Sequence, residues 1–188
     1  MILGYKKISE KAIDPIYSTE GSSCFDLFVC LPTRYSKFET DMIPSVTVFD
    51  SFNEKDTRHI FQRPCFEDPQ NMRSAVNLYP GDRALIPTGI IFDIPVGYSL
   101  RIHPRSSTGL KKGLVLANGE GIVDWDYTQE CFLLLMNNTK RDVLIYHGER
   151  LCQGELVPDL RAELIPVNSV EQKTSRVGGF GSTGRGIL

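Results

Sequence analysis

Short runs of apolar residues recur along most of the chain, from Cys24 to Val167. Glycine, proline, asparagine and aspartate separate these runs, as in VNLYP, YSLRIH, CFLLLMN and VLIYH. Runs of this length between turn residues are typical of antiparallel strands, and no long stretch keeps the apolar period of about 3.6 residues that a helix needs. The pattern therefore predicts an all-β fold, a barrel or a sandwich, with little helix.

Turn-forming residues lie between the runs, where such a fold needs tight connections. Four clusters have this chemistry: Pro80-Gly81-Asp82, Pro95-Val96-Gly97, Asn137-Asn138 and His147-Gly148-Glu149. Glycine supplies backbone conformations that other residues avoid, while proline and asparagine favour turn geometry. We expect a reversal of the chain at each of them.

Two segments depart from the pattern. Residues 33–74 carry scattered charges and prolines and only one plausible strand, SVTVFDSF, so we expect an insertion laid across the barrel rather than part of it. Residues 172–188 are rich in glycine and are expected to form a flexible arm. Because 188 residues suit a single core, residues 1–188 are predicted to form one domain that contains both segments.

Composition narrows the class of protein. The chain has a formal net charge of −2, 41% hydrophobic and 23% charged residues, which is ordinary for a globular protein and gives no reason to expect a nucleic-acid partner. Its five cysteines include no CxxC pair, so we expect reduced thiols and no zinc site. No signal peptide and no apolar run of about 18 residues occurs, which favours a cytoplasmic protein, or one of the host cytoplasm if the source is viral, without membrane contact.

Two polar clusters interrupt the first half of the strand pattern. Asp26, in SSCFDL, is a carboxylate at a strand start, where an aspartate commonly caps a turn. In HPRSSTGLKKGL, residues 103–114, Arg105 is followed by the hydroxyls of Ser106 and Ser107 and by two lysines. A cation, hydroxyls and free backbone N–H groups in one turn suit a phosphate chain, although a solvated basic loop has the same composition.

The third cluster is NGEGIVDWDY, residues 118–127. If the strand stays regular, alternation places Asp124 and Asp126 on one face and Trp125 and Tyr127 on the other, whereas a turn would change this arrangement. A carboxylate here can orient or deprotonate a water molecule while an aromatic ring packs against a flat ligand.

The last two clusters lie near the end of the chain. Gln153, in GERLCQ, stands among apolar residues, which suggests either a hydrogen bond placed for a ligand or an amide at the barrel rim without one. The segment RVGGFGSTGR, residues 176–185, is basic and bears hydroxyls around Phe180. It can close over a ligand, with the ring on a base and the hydroxyls on phosphate, although a glycine-rich end can also be disordered.

Together the five clusters resemble, in order and spacing, the five motifs of the trimeric dUTPases. The strongest pieces are PRSS (104–107), GIVDWDY (121–127), GERLCQ (148–153) and GGFGSTG (178–184). The likeness covers most of the chain except the insertion and the first twenty residues. It implies a distorted jelly-roll β-barrel, a homotrimer with three shared active sites, and a C-terminal arm from one subunit that closes another subunit's site.

The resemblance also implies a reaction and its catalytic residues. Asp124 would activate a water for in-line attack on the α-phosphate of dUTP, releasing dUMP and pyrophosphate. Mg²⁺ would bridge the triphosphate oxygens, and Asp26 would touch the water shell of the metal. Gln153 would hydrogen-bond the α-phosphate or the attacking water. This agrees with phosphoryl transfer, which needs mainly positioning and neutralisation of charge.

The remaining motif residues are assigned to substrate binding by the same matching. Arg105 and Ser106, with Ser107 beside them, would contact phosphate, and Asn118 would meet the base next to Gly121. Tyr127 would stack beneath the deoxyribose and exclude a ribose. The tail residues would cover the substrate, with Phe180 on uracil and Ser182 and Thr183 on the γ-phosphate; Arg176 and Gly181 belong to this set.

The chain departs from the usual motifs at several positions. Ser23 and Cys24 replace Ala-Gly in the first motif, and Thr128 and Gln129 replace a basic residue and a glycine after the third. Arg176 lies one residue closer to the tail aromatic than in the commonest form. Residues 33–74 are absent from compact members of the family and could cover the barrel, widen the trimer contact or recruit a protein partner.

Three alternatives differ in chemistry. The dCTP deaminases resemble this chain in the jelly roll and in an Arg-Ser-Ser turn. At the position that matches Leu134, however, that family has a glutamate. Deamination needs this group to transfer a proton, which an apolar residue cannot do. A pyrophosphatase for dCTP, or for both dUTP and dCTP, differs only in base contacts. A regulatory binding protein would have kept the fold and lost catalysis.

Overall fold

The computed structural model of the chain describes residues 1–32, 45–49, 60–70, 73–175 and 177–178. Fourteen strands follow one another along these residues. They are β1 (Gly4–Lys7), β2 (Phe25–Phe28), β3 (Ser45–Phe49), β4 (Ile60–Pro64), β5 (Phe66–Asp68), β6 (Arg73–Leu78), β7 (Arg83–Pro87), β8 (Ile90–Asp93), β9 (Tyr98–Pro104), β10 (Leu114–Leu116), β11 (Gly121–Asp124), β12 (Phe132–Asn137), β13 (Val143–Tyr146) and β14 (Arg150–Pro158). The predicted all-β fold is confirmed.

Helix is as scarce as the sequence predicts. One π-helical turn, Thr108–Lys112, lies between β9 and β10. A π-helical turn is rare and frequently lies at a functional site. No helix in the described part of the chain is long and apolar enough to cross a membrane.

The strands pair antiparallel in four sheets. The larger ones have the orders β10-β12-β7-β3-β4 and β11-β9-β14-β2, and the smaller ones are β13-β6-β5 and β1-β8. Hydrogen bonding among the described residues therefore does not close one continuous barrel. The sheet β11-β9-β14-β2 carries residues from four of the five polar clusters and is called the site sheet below.

Alternation along the strands builds one core. In β12, buried Leu133 and Leu135 alternate with more exposed neighbours, and Leu100 and Ile102 of β9 face the same interior. Complete burial of a side chain of this size contributes roughly 1.5–3 kcal/mol. The core thereby fixes which residues of the site sheet point inward and which point outward.

The predicted turns lie where expected. Gly81, Gly97 and Gly148 have φ values of 82°, 84° and 79°, a region that favours glycine. At Gly148 this conformation reverses the chain between β13 and β14, while the Gly148 N–H donates to the Val29 carbonyl at 2.8 Å. The start of β14 is thereby held beside the end of β2.

The expectation that residues 33–74 hold a single strand and are not part of the barrel is wrong, while their assignment as an insertion stays a prediction. β3 lies within SVTVFDSF, but β4 and β5 also fall in this segment, and β3 pairs with β7 as well as with β4. The segment thus extends a sheet. Its outermost strand β4 contains Gln62, Arg63 and Pro64, and edge strands tolerate such residues because one side of the strand needs no partner.

All five cysteines are free thiols, as predicted. Burial raises the pKa of Cys65, Cys131 and Cys152 to about 12 in each case. These three thiols stay protonated at neutral pH and act as packing residues.

Candidate active site

The outward face of the site sheet brings three of the five polar clusters together. Asp26 of β2 lies directly opposite Gln153 of β14, which lies opposite His103 of β9. Residues that face each other across antiparallel strands point to the same side of the sheet. Arg105 follows immediately after β9 and completes this end of the face.

Asp26 is the acidic centre of this group and is only 5% exposed. Its Oδ1 lies 3.0 Å from Nε of Arg105, and its Oδ2 lies 3.0 Å from Nη1 of Arg150. The Ser18 hydroxyl donates to Oδ2 at 2.6 Å. A buried carboxylate is stable when charged donors surround it, so this one is locked between two guanidinium groups.

The turn after β9 holds Arg105 against β14. The Arg105 N–H donates to the Leu151 carbonyl at 3.1 Å, and the buried Thr108 hydroxyl donates to the same oxygen at 2.7 Å. Lys112, at the end of the π-helical turn, donates to both carboxylate oxygens of Glu149 at 2.8 Å. The second and fourth polar clusters are thus bound to each other.

An open cleft of about 350 Å³ lies over these groups. Its lining consists of Ser18, Ser22, Ser23, Cys24, Asp26, Arg105 and Gln153. Ser106 is exposed beside it, and Ser107 is half-buried. Arg105, hydroxyls and an amide are donors for an anionic ligand, and the single carboxylate is already paired, so the cleft suits a phosphate chain.

The third polar cluster runs along the neighbouring edge strand, and its Asp124 lies at the opposite end of the same face. Asp124, the last residue of β11, pairs with Ser99 of β9, and Gly121 pairs with Ile102. A side chain at Gly121 would approach Cβ of Ile102 to 2.9 Å, so the strand needs a glycine there. Asn118 is exposed in the turn before β11, and its carbonyl accepts from the Glu120 N–H at 2.9 Å.

The alternation expected for Asp124 to Tyr127 does not occur. β11 ends at Asp124, residues 125–126 form a turn, and the Tyr127 N–H donates to the Asp124 carbonyl at 3.1 Å. The Tyr127 hydroxyl donates to the Glu130 carbonyl at 3.1 Å, which fixes a ring that is 41% exposed. The turn forms because no strand pairs with β11 beyond Asp124 in the described part of the chain.

Asp124 and Asp26 are far apart within one chain. Val157 lies four positions after Gln153 along β14; Gln153 is opposite Asp26, and Val157 is at the level of Ser99 and Asp124. With three strand spacings across the sheet, the Cα atoms of Asp26 and Asp124 are about 20 Å apart. Both lie on the same face of the site sheet, at opposite ends of it.

Charged residues fill the face between the two ends. Arg101 lies 3.7 Å from Glu120 and 3.6 Å from Asp159. His103 lies 3.7 Å from Glu120 and 3.4 Å from Glu155. These pairs are partly exposed and contribute little to stability individually, but they keep the face polar.

The fifth cluster lies almost wholly outside the described residues. Arg176, Phe180, Gly181, Ser182 and Thr183 are not among them. The preceding segment, 159–175, runs without strand or helix along the surface, and its Leu160, Leu164 and Val170 are 100%, 93% and 83% exposed. So many exposed apolar side chains on one segment indicate a surface that another chain can cover.

Sequence reasoning misses several residues that build the site. Arg150 stands within GERLCQ without an assigned role, and Ser18 lies before the first cluster. Lys112 and Glu149 belong to separate motifs, and nothing in the sequence joins them. A sequence motif carries no signal for such contacts, because they depend on the register of β2, β9 and β14.

Comparison with known proteins identifies the family. The family model for dUTPase matches residues 71–184. A deoxyuridine 5'-triphosphate nucleotidohydrolase of Hydrogenobaculum sp. (strain Y04AAS1) is 32% identical over 184 residues, which cover 98% of this chain and 99% of that protein. The enzyme of the same name from Bdellovibrio bacteriovorus is 39% identical over 120 residues, 64% of this chain and 80% of its own length.

Solved structures have the same fold. A dUTPase from Streptococcus mutans superposes with a TM-score of 0.58 at 24% identity, over 85% of this chain and 98% of that one. The Staphylococcus bacteriophage 80alpha dUTPase with dUpNHpp superposes with a TM-score of 0.68 at 20% identity, over 97% of this chain and 98% of that one. The architecture is therefore the all-β jelly roll of these enzymes, and the chain belongs to the dUTPase family.

Proposed function

We propose that this chain hydrolyses dUTP to dUMP and pyrophosphate at a site completed by other copies of the same chain. The observation that carries the proposal is the convergence of Asp26, Arg105 and Gln153 on one polar cleft, with Arg150 paired to Asp26, in a member of the dUTPase family. Phosphoryl transfer needs little covalent chemistry from a protein and depends on positioning and on neutralisation of charge.

The cleft has the donors to hold a triphosphate. Arg105 and Arg150 are fixed by the carboxylate of Asp26, so their remaining N–H groups are oriented before substrate arrives. Ser106 and Ser107 add hydroxyls beside Arg105. Gln153, half-buried opposite Asp26, can donate its amide N–H groups to an α-phosphate oxygen or accept from the attacking water.

Asp124 is the proposed base. It stands exposed at the end of β11, where its carboxylate can take a proton from a water molecule aligned with the α-phosphate. Because Asp124 lies about 20 Å from Asp26 within one chain, the Asp124 that serves a given cleft must come from a neighbouring subunit. A second copy seated on the outward face of the site sheet would place it there.

A homotrimer with three shared sites satisfies this requirement. In a closed ring each subunit gives its Asp124 to one neighbour and receives another's at its own Asp26 cleft. The exposed apolar side chains of segment 159–175 support such an assembly, since they need a surface to cover them. The tail that follows, with Arg176, Phe180, Gly181, Ser182 and Thr183, is proposed to close over a substrate.

Magnesium fits this cleft as a partner of the substrate rather than of a protein cage. Among the residues that the structure describes, no three His, Cys, Asp or Glu side chains form a group that could hold a metal ion. Asp26 makes three polar contacts and keeps acceptor capacity on Oδ1, enough for a metal-bound water. When bound, Mg²⁺ would neutralise charge on the triphosphate oxygens.

The nucleoside would be read by the third cluster of the neighbouring subunit. Asn118 and the backbone near Gly121 would meet the base, and the ring of Tyr127 would stack beneath the deoxyribose. A protein partner for residues 33–74 stays a separate prediction. The deaminase alternative finds no support, because Leu134 lies in β12, outside the site sheet, and has no titratable group.

The experiment is a parallel assay of pyrophosphate release from dUTP, dCTP, dTTP and UTP with magnesium, with ammonia measured in the same samples. We expect rapid release from dUTP and none from D124N. Release from dCTP without ammonia would replace the proposal by a cytosine or dual-specificity enzyme, and ammonia would replace it by a deaminase. Tight dUTP binding without any turnover would indicate a regulatory binding protein.

A further inference from the structure

The carboxylate of Asp26 is held by three donors, one of which is not a cation. Arg105 contacts Oδ1, and Arg150 contacts Oδ2. The third donor is the Ser18 hydroxyl, whose distance to Oδ2 of 2.6 Å is typical of a strong hydrogen bond to a carboxylate. Ser18 belongs to none of the five motifs.

Ser18 contacts the arginine as well as the acid. Nη1 of Arg150 donates to the Ser18 Oγ at 3.3 Å, while the hydroxyl proton goes to Asp26. The hydroxyl therefore closes a three-membered network of acid, cation and serine. Removing it would leave Oδ2 with one partner and would free Arg150 to turn toward solvent, since its side chain is already 42% exposed.

The backbone holds Ser18 in place for this role. The Asp26 N–H donates to the Ile16 carbonyl at 2.7 Å, so the chain before β2 folds back on β2 itself. The ring of Tyr17 packs edge-on against Phe25, with ring centroids 5.7 Å apart. Ser18 thus directly follows two residues that are anchored to the strand of Asp26, and its hydroxyl is positioned without a ligand.

We propose that Ser18 is a positioning residue that fixes the plane of the Asp26 carboxylate and thereby orients Arg105 and Arg150 toward the triphosphate. A carboxylate offers about four acceptor positions, and Ser18 with the two arginines occupies three of them, which leaves one on Oδ1 facing the cleft. The inference rests on the proposed function, because it names what prepares the same cleft for phosphate. The Ser18 hydroxyl, which lies outside the five motifs, thereby contributes to the affinity for the triphosphate.

The test compares S18A, S18T and wild-type protein in three measurements. These are calorimetric binding of the analogue dUpNHpp, the kcat and KM for dUTP, and the unfolding temperature without ligand. We expect S18A to bind the analogue about three- to tenfold more weakly, as loss of one hydrogen bond to a charged network predicts. The kinetic loss should fall on KM rather than on kcat, and S18T should restore binding because it keeps the hydroxyl.

S45A is the matched control. The Ser45 hydroxyl also donates to a side chain, Gln62, but on a different sheet. S45A should bind dUpNHpp like wild type. Wild-type affinity in S18A, or failure of S18T to restore it, would overturn the positioning role while leaving the proposed function intact. Absence of analogue binding and of dUTP turnover in the wild-type protein would instead overturn the proposed function, and the positioning role with it.

Discussion

Lys112 donates to both carboxylate oxygens of Glu149 at 2.8 Å and ties the turn that carries Arg105 to the start of β14. Its ammonium also donates to the Leu144 carbonyl, and Glu149 accepts from the Tyr146 N–H. The pair is partly buried, with side chains 27% and 18% exposed. It joins the two polar clusters that supply the arginines of the cleft.

Replacing this lysine should loosen the site and lower stability together. K112M leaves Glu149 partly buried with its cation removed, and we expect a loss of about 1–3 kcal/mol in the free energy of unfolding, measured by urea denaturation. KM for dUTP should rise, because Arg105 loses one of its supports. K111M removes an exposed charge from the neighbouring position and should leave both quantities unchanged; equal effects of the two variants would contradict the prediction.

Much of this site could be predicted from sequence because its residues cluster locally. Asp26, Arg105 and Gln153 each stand in a short polar interruption of an apolar strand pattern, and the structure brings these three together. Their partners could not be predicted in the same way. Ser18 meets Asp26 through a fold-back of the chain, and Lys112 meets Glu149 across many intervening residues.

The third cluster shows a different limit of sequence reasoning. Alternation predicts a regular strand from Asp124 to Tyr127, but β11 has no described partner beyond Asp124, and the chain turns. Edge strands are hard to predict for a related reason. Arg63 and Pro64 interrupt the apolar pattern of β4, which tolerates them because its outer side needs no partner. Strand periodicity describes residues that are packed on a sheet and carries little information about where pairing stops.

Glu130 should make stability depend on pH. Burial raises the pKa of its carboxyl, and the Gly89 N–H, which donates to it at 2.7 Å, offsets this only in part. Because the folded pKa lies above the unfolded one, the contribution of Glu130 to stability is fully present below the unfolded pKa and is lost as pH rises through the folded pKa.

Replacement by glutamine tests this sign. E130Q keeps an oxygen to accept from Gly89 and removes the charge, so its unfolding temperature should exceed that of wild type at neutral pH. The difference should shrink as pH falls through the raised pKa, because the wild-type carboxyl then becomes protonated. E163Q, at an exposed position of segment 159–175, is the control and should show no pH-dependent difference.

Tyr127 should set the preference for deoxyribose over ribose. Its backbone N–H donates to the Asp124 carbonyl, and its hydroxyl donates to the Glu130 carbonyl and holds the ring. Y127A removes the surface that a 2′-hydroxyl would strike, and exclusion of a small group is worth about 1–3 kcal/mol. The ratio of kcat/KM for dUTP to kcat/KM for UTP should therefore fall by roughly tenfold or more in Y127A. Y127F keeps the ring and should retain most of the preference for dUTP.

The separation of Asp26 from Asp124 makes a prediction that a site within one chain would not make. D26N and D124N should each be inactive, since one loses the group that orders the arginines and the other loses the proposed base. In a mixed oligomer, however, a D124N subunit supplies an intact Asp26, and its D26N neighbour supplies an intact Asp124. Such a pairing rebuilds a complete site from two inactive chains.

Mixing the two variants should therefore restore activity. If subunits of a closed ring assort at random from equal amounts, about one site in four receives both native carboxylates. Unfolding and refolding the mixture together allows exchange, and pyrophosphate release from dUTP should then approach about a quarter of the wild-type rate. Refolding the variants separately and combining them afterwards, without exchange, gives the baseline. Activity of the co-refolded mixture at that baseline would mean that both carboxylates act within one chain, and the shared site would have to be abandoned.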